Sequence, residues 1–137
     1  MKLEVSELID RPAATVFDFI GVEHVANHPR WDPMLQLEQV TDGPIGVGTV
    51  LRRHHMHFGE PVDGVMECVE FDPPRAIGFL IHDGPVEMNG RMSVEPAGGD
   101  RSVLTITAEM PGLDGPLDSR PVEESAHRIK QLVESEK

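Results

Sequence analysis

Val86-Glu87-Met88-Asn89-Gly90-Arg91-Met92-Ser93-Val94-Glu95 is the stretch that decides the fold. Val86, Met88, Gly90, Met92 and Val94 alternate with Glu87, Asn89, Arg91, Ser93 and Glu95, the two-residue period of a strand with one face on a core and the other in water. The pattern repeats after a hairpin at Pro96 to Asp100, where Leu104, Ile106, Ala108 and Met110 alternate with Thr105, Thr107 and Glu109. On the N-terminal side, Ile77, Phe79 and Ile81 share a face, and His82-Asp83-Gly84-Pro85 turns the chain into the opening stretch. Further out, Val50 to Phe58 and Val62 to Phe71 read as strands joined by Gly59-Glu60-Pro61, and Leu35 to Val40 as an edge strand before the turn-rich Thr41 to Gly48.

Both ends of the chain frame this meander. Lys2 to Ile9 alternates with Leu3, Val5 and Ile9 on one face, interrupted by Glu7, and is read as a strand. Pro12 opens a helix carrying Val16, Phe17, Phe19 and Ile20, which Gly21 is expected to end. A second helical turn over Val22 to Asn27 runs into Pro29 and Pro33, which forbid its continuation. Near the C-terminus, Val122, Ala126, Ile129 and Val133 fall at amphipathic spacing, and Pro121 is expected to confine that helix to about 14 residues. The order of strand, helix pair, strands and closing helix predicts an α+β fold, an antiparallel sheet with helices on one side.

The chain has 137 residues with 24 acidic and 12 basic side chains, a net charge of −12 that repels nucleic acid and anionic membranes. One domain is expected at that length, residues 1–137. A single Cys excludes disulfide scaffolds and thiolate zinc sites, and no stretch has the length of a signal peptide core or membrane span. The expectation is a cytoplasmic domain without a nucleic-acid or membrane partner, with homodimer formation left open.

Ile9-Asp10-Arg11-Pro12 through Ile20, Pro29-Arg30-Trp31-Asp32-Pro33, Thr41-Asp42-Gly43-Pro44 with Gly46-Val47-Gly48-Thr49, Val69 through Arg75, and Glu95-Pro96-Ala97-Gly98-Gly99 follow one another in a recognisable order. In these motifs the chain resembles the polyketide cyclase/dehydrase group of the START-like (SRPBCC, birch-pollen-allergen-like) superfamily, over residues 2 to 135. The resemblance implies a helix-grip domain: a curved seven-stranded antiparallel sheet around a C-terminal helix, two short helices after the first strand, and a hydrophobic cavity. It implies binding of a small hydrophobic, aromatic or polyketide-like molecule, with cofactor-independent cyclisation or dehydration as the enzymatic version. A noncatalytic carrier or stress-type ligand-binding protein is the alternative, because fold does not set function.

The sequence's most unusual segment is Arg52-Arg53-His54-His55-Met56-His57. Strand alternation puts Leu51, Arg53, His55 and His57 on one face and His54 and Met56 on the other. The family pattern turns the first set toward the cavity, making His55 and His57 acid/base candidates about 7 Å apart along a strand and Arg53 a clamp for a carboxylate, phenolate or enolate oxygen. An anionic or phenolic ligand repelled elsewhere would be drawn to this basic strand. The competing readings are a solvated face and half of a metal site completed by Glu7, and spacing indicates no further ligand, so no metal or cofactor is assigned. Met66, Met88, Met92, Phe79 and Ile106 are expected to line the cavity, with Leu51, Cys68 of the same parity as Met66, and Trp31 held in its proline-flanked loop. His24 and His28 are assigned to a surface or turn.

Overall fold

The computed structural model describes residues 2–57, 60–84, 86–111 and 119–135, with only the backbone of Met56, His57 and Glu60. Its strands are β1 (Lys2–Ile9), β2 (Gln36–Gln39), β3 (Val50–His57), β4 (Glu60–Asp72), β5 (Ala76–Asp83), β6 (Val86–Pro96) and β7 (Ser102–Glu109). They form one sheet in the order β1-β7-β6-β5-β4-β3-β2, every neighbour antiparallel. Hairpins make the meander from β2 to β7, and β1 closes it by pairing with β7, so that Leu3 lies opposite Ala108 and Val5 opposite Ile106. The register of β4 against β5 shifts between Cys68 and Glu70, a bulge that bends the longest strand.

The chain crosses from one sheet edge to the other through α1 (Ala13–Phe17), a π-helical turn at Asp18–Val22 and α2 (His24–Trp31). Gly21 does not end the first helix. The Phe17 ring lies over it, so close that a Cβ at position 21 would stand 2.7 Å from Phe17 Cζ, and the backbone continues into the wider turn closed by Glu23 N–H on Asp18 O. Nor does Pro29 stop α2, which runs to Trp31. Pro29 removes one donor from the helix, while Asp32 N–H still closes on His28 O and Asn27 Nδ2 donates to Phe19 O. Side-chain contacts thus hold a short helix that local propensity opposes.

The closing helix, α3 (Arg120–Ser135), has 16 residues, and Pro121 sits inside its first turn instead of before it. The first turn leaves its N–H groups unbonded in any helix, so proline is tolerated there. Ala126, Ile129 and Val133 are buried against β1 and β7, as the spacing predicts, in a core with Ile9, Val16, Phe17, Ile20 and Leu104. Each of these side chains larger than alanine contributes about 1.5–3 kcal/mol when fully buried. Polar ties also hold the helix: Lys130 Nζ donates to Leu8 O at 2.7 Å, and Arg128 Nη1 to Trp31 O at 3.2 Å. Among the described residues no helix is long and apolar enough to cross a membrane.

Candidate functional site

The site is built from rows of residues that face each other across the sheet. Arg53 of β3 lies opposite Gly64 of β4, and Gly64 lies opposite Asp83 of β5. A Cβ at Gly64 would fall 2.2 Å from Asp83 Oδ1 and equally close to His82 O. The missing side chain is what lets Arg53 and Asp83 meet, Nε to Oδ1 at 2.8 Å, with both side chains almost wholly buried. Burial pulls the guanidinium's pKa below its usual value, opposed first by Asp83 and then by Asp32. Arg53 therefore enters the site already matched by a carboxylate. The charge is compensated, which weakens its expected use as an anion clamp.

A second row makes room. Phe79 faces Gly90, Gly90 faces Ala108, and Ala108 faces Leu3, so two small residues sit between two large ones. Beneath α3 the surrounding side chains leave a cavity of about 370 Å³. Ile77, Ile81, Met88, Met92 and Ile106 supply most of the sheet wall, and Val122 and Ser125 of α3 the opposite side. The polar wall comes from β3 and from α2 with the residue that follows it: Arg53, His55, His28 and Asp32, beside His24 and Trp31.

These polar groups are organised by direct bonds. His55 Nε2 is 2.8 Å from Asp32 Oδ2, joining β3 to the end of α2. On α2, His24 Nδ1 lies 2.7 Å from the Ile20 carbonyl oxygen and its Nε2 lies 2.9 Å from His28 Nδ1. His28 in turn stacks on Trp31 with ring centres 4.9 Å apart, and His24 packs on Phe79 at 4.7 Å. His24 is fully buried, and this loss of hydration is the main reason its pKa falls to about 4; the bond to Ile20 opposes the shift and Arg53 adds to it. His28 is likewise held well below the usual histidine range by burial, then by His24, Arg53 and His55. Both rings are neutral at pH 7.

Arg53, His55, Trp31, Met66, Phe79, Met88, Met92 and Ile106 all line this cavity. Leu51 and Cys68 do not. They face inward as their parity predicts, yet both are fully buried among core side chains, and the Cys68 thiol is turned toward Glu70 O at the β4 bulge. Burial pushes that thiol's pKa up. The side chain of His57, the expected partner of His55, lies outside the described residues; His55 itself is in contact with Asp32. Glu7, the carboxylate considered for a metal site with these histidines, pairs with Leu104 at the sheet edge opposite β3. The assignment of His24 and His28 to a surface or turn is corrected: His24 is fully buried and packs on Phe79 of the sheet, and the half-buried His28 borders the cavity. Asp32 and Asp83 were also missed. The spacing of His24, His28 and Trp31, four and then three residues, is a helical face, a signal masked in the sequence by Pro29.

A seven-stranded antiparallel sheet curved around a C-terminal helix, with short helices closing one end, defines the helix-grip class of the START-like (SRPBCC) superfamily. Residues 1–135 match the family described as Polyketide cyclase / dehydrase and lipid transport, and the chain belongs to that family. Solved structures agree on the fold. The Zhui aromatase/cyclase from Streptomyces sp. R1128 superposes with a TM-score of 0.79 at 16% identity, over 98% of this chain and 93% of that one. Norcoclaurine synthase from Thalictrum flavum, solved with dopamine and hydroxybenzaldehyde, gives 0.77 at 19% identity, over 100% and 88%. The di-domain ARO/CYC BexL from the BE-7585A biosynthetic pathway gives 0.74 at 26% identity, over 98% of this chain and 46% of that one. Among curated protein sequences no significant match is found.

Proposed function

We propose that this protein binds a small, largely apolar molecule of aromatic or polyketide-like shape in the cavity between sheet and α3. The observation that carries the reading is the division of the lining: aliphatic and thioether side chains from β5, β6 and β7 on one side, and Arg53, His55, Asp32 and His28 on the other. An apolar pocket with a few convergent polar groups buries the body of a ligand and orients one end of it. Families of this fold that handle aromatic or polyketide molecules support the choice.

Filling the cavity is the test. Ile106→Trp places an indole where Ile106 now borders the space, and calorimetric titration with 2-naphthol should show affinity falling by about ten-fold or more, the equivalent of about 1.4 kcal/mol. Unchanged affinity in a folded variant would place the binding elsewhere. Native mass spectrometry of the protein from cell extract would then show what it carries.

A second reading, catalysis, rests on the Asp32–His55 contact. A carboxylate that fixes an imidazole's orientation and tautomer is an arrangement suited to proton transfer: cyclisation takes a proton from carbon and delivers one to the attacked carbonyl oxygen, and dehydration of the resulting alcohol takes another from carbon and delivers one to the hydroxyl that leaves as water. Incubation with a linear poly-β-ketone mimic should return a product lighter by one water, and His55→Gln should remove that product while leaving 2-naphthol affinity nearly intact. A carrier would return the mimic unaltered.

A further inference from the structure

We infer that His28 is the residue that selects a hydroxyl group on the ligand: its Nε2 accepts a hydrogen bond from a neutral phenol or enol lying in the cavity. The inference rests on the cavity-binding reading above and adds the chemistry of the ligand's polar end. It follows from a chain of donors and acceptors that begins on the backbone. The Ile20 carbonyl oxygen can only accept, so His24 Nδ1, 2.7 Å away, carries the hydrogen. In a neutral ring the other nitrogen is then a bare acceptor. His24 Nε2 accordingly accepts from His28, at 2.9 Å, and the hydrogen in that bond belongs to His28 Nδ1. His28, neutral for the same reason of burial, is left with a bare Nε2 on a ring that borders the cavity. Among the described residues nothing donates to it.

The charges around this nitrogen argue for a neutral donor. His24 and Trp31 flank His28 on its own helix, and Arg53 and His55 face it from β3. Arg53 is matched by Asp83, and Asp32 brings a further carboxylate to the cavity wall beside His55. Arg91 borders the cavity too, but its guanidinium is bound to Glu70 on the outer face. A ligand carboxylate would meet Asp32 with no unmatched cation among the described lining residues to receive it, and would face a lone pair at His28 Nε2. A hydroxyl satisfies that lone pair. This reverses the anionic preference suggested by the basic composition of β3, because pairing, not the count of basic side chains, sets the field inside.

Three probes of one shape separate the possibilities: 2-naphthol, 2-methoxynaphthalene, which keeps the oxygen but has no donor, and 2-naphthoate. In calorimetric titrations of the full chain at pH 7, 2-naphthol should bind about ten-fold or more tighter than the ether, and naphthoate weakest. His28→Phe, which keeps the stack on Trp31 without the acceptor, should reduce the naphthol-to-ether ratio to near one with the ether's affinity unchanged. His28→Gln, whose amide oxygen can accept, should retain part of the ratio. Long-range ¹H–¹⁵N spectra of the unaltered protein should show His24 and His28 neutral and protonated at Nδ1, with the His28 Nε2 resonance moving when 2-naphthol is added. That spectrum decides the matter even if the variants fail to fold. A hydrogen on His28 Nε2, or a naphthol preference that survives His28→Phe, overturns the assignment. If 2-naphthol and its ether bind equally, cavity binding stands and the role of His28 is lost; if no probe binds, both readings fall.

Discussion

His54 on β3 and His24 on α2 are the same side chain in opposite surroundings. The His54 imidazole is half in water, with Asp63 Oδ1 beside its Nδ1, on the outer face of the sheet. His24 has no exposed surface and is held at both ring nitrogens, by Ile20 O and by His28. The first ring keeps its contact with water, whereas burial keeps the second neutral and so sets the direction of its hydrogen bonds. Arg53, two residues from His55 on the same strand face, shows what is required to keep a charge inside: a buried carboxylate and a glycine that leaves space for the two to meet. The lesson is that the polar wall of the cavity is defined by compensation. Arg53 is paired with Asp83 there, and His24 and His28 are neutral.

The sharpest way to break this contrast is to remove Asp83. Asp83→Ala strands the buried Arg53 guanidinium and should destabilise the fold by about 3–5 kcal/mol in urea unfolding, while the double change with Arg53→Met recovers most of the loss. A single substitution costing under about 1 kcal/mol would show that the pair is not compensating buried charge.

Acid should expose the next difference. The His24 pKa lies near 4 in the folded chain and at 6.5 for a free side chain, so the unfolded chain binds more protons between those values. Stability is therefore fully present above pH 6.5 and lost as the pH falls toward 4, with His28 acting in the same direction. For His24 alone the loss approaches about 3 kcal/mol, and His24→Phe should flatten that part of the profile. A stability curve equally steep in the variant would assign the acid sensitivity to other groups. The smallest effect is expected at the exposed site: His54→Ala should change unfolding free energy by less than about 0.5 kcal/mol, despite the contact with Asp63.

How far each feature could be read in advance depends on how local its cause is. The two-residue alternation of Val86 to Val94 and of Leu104 to Met110 is a property of neighbouring residues, and both segments are strands with the expected face inward. The same parity put Leu51, Arg53 and His55 on one face and the family pattern turned that face inward, but parity gives a face and not a depth. Leu51 meets core side chains, while His55 meets open space and Asp32, 23 residues earlier in the chain. Gly64 carries no local signal inside its strand, because its role exists only between β3 and β5. For α2, a correct local rule about proline was outweighed by the packing of His24 on Phe79 of the sheet and of His28 and Trp31 on one another.

By itself, then, the sequence determined an antiparallel sheet closed by an amphipathic helix, since hydrophobic period is written in consecutive side chains and each period suits one backbone geometry. The family motifs added the helix-grip arrangement. Only the tertiary structure decided which inward residues border empty space, which charge is already paired and which nitrogen of His28 is bare. Those properties depend on distance, exclusion of water and the hydrogen-bond partners that each group finds, and the partners come from strands and helices far apart in the chain.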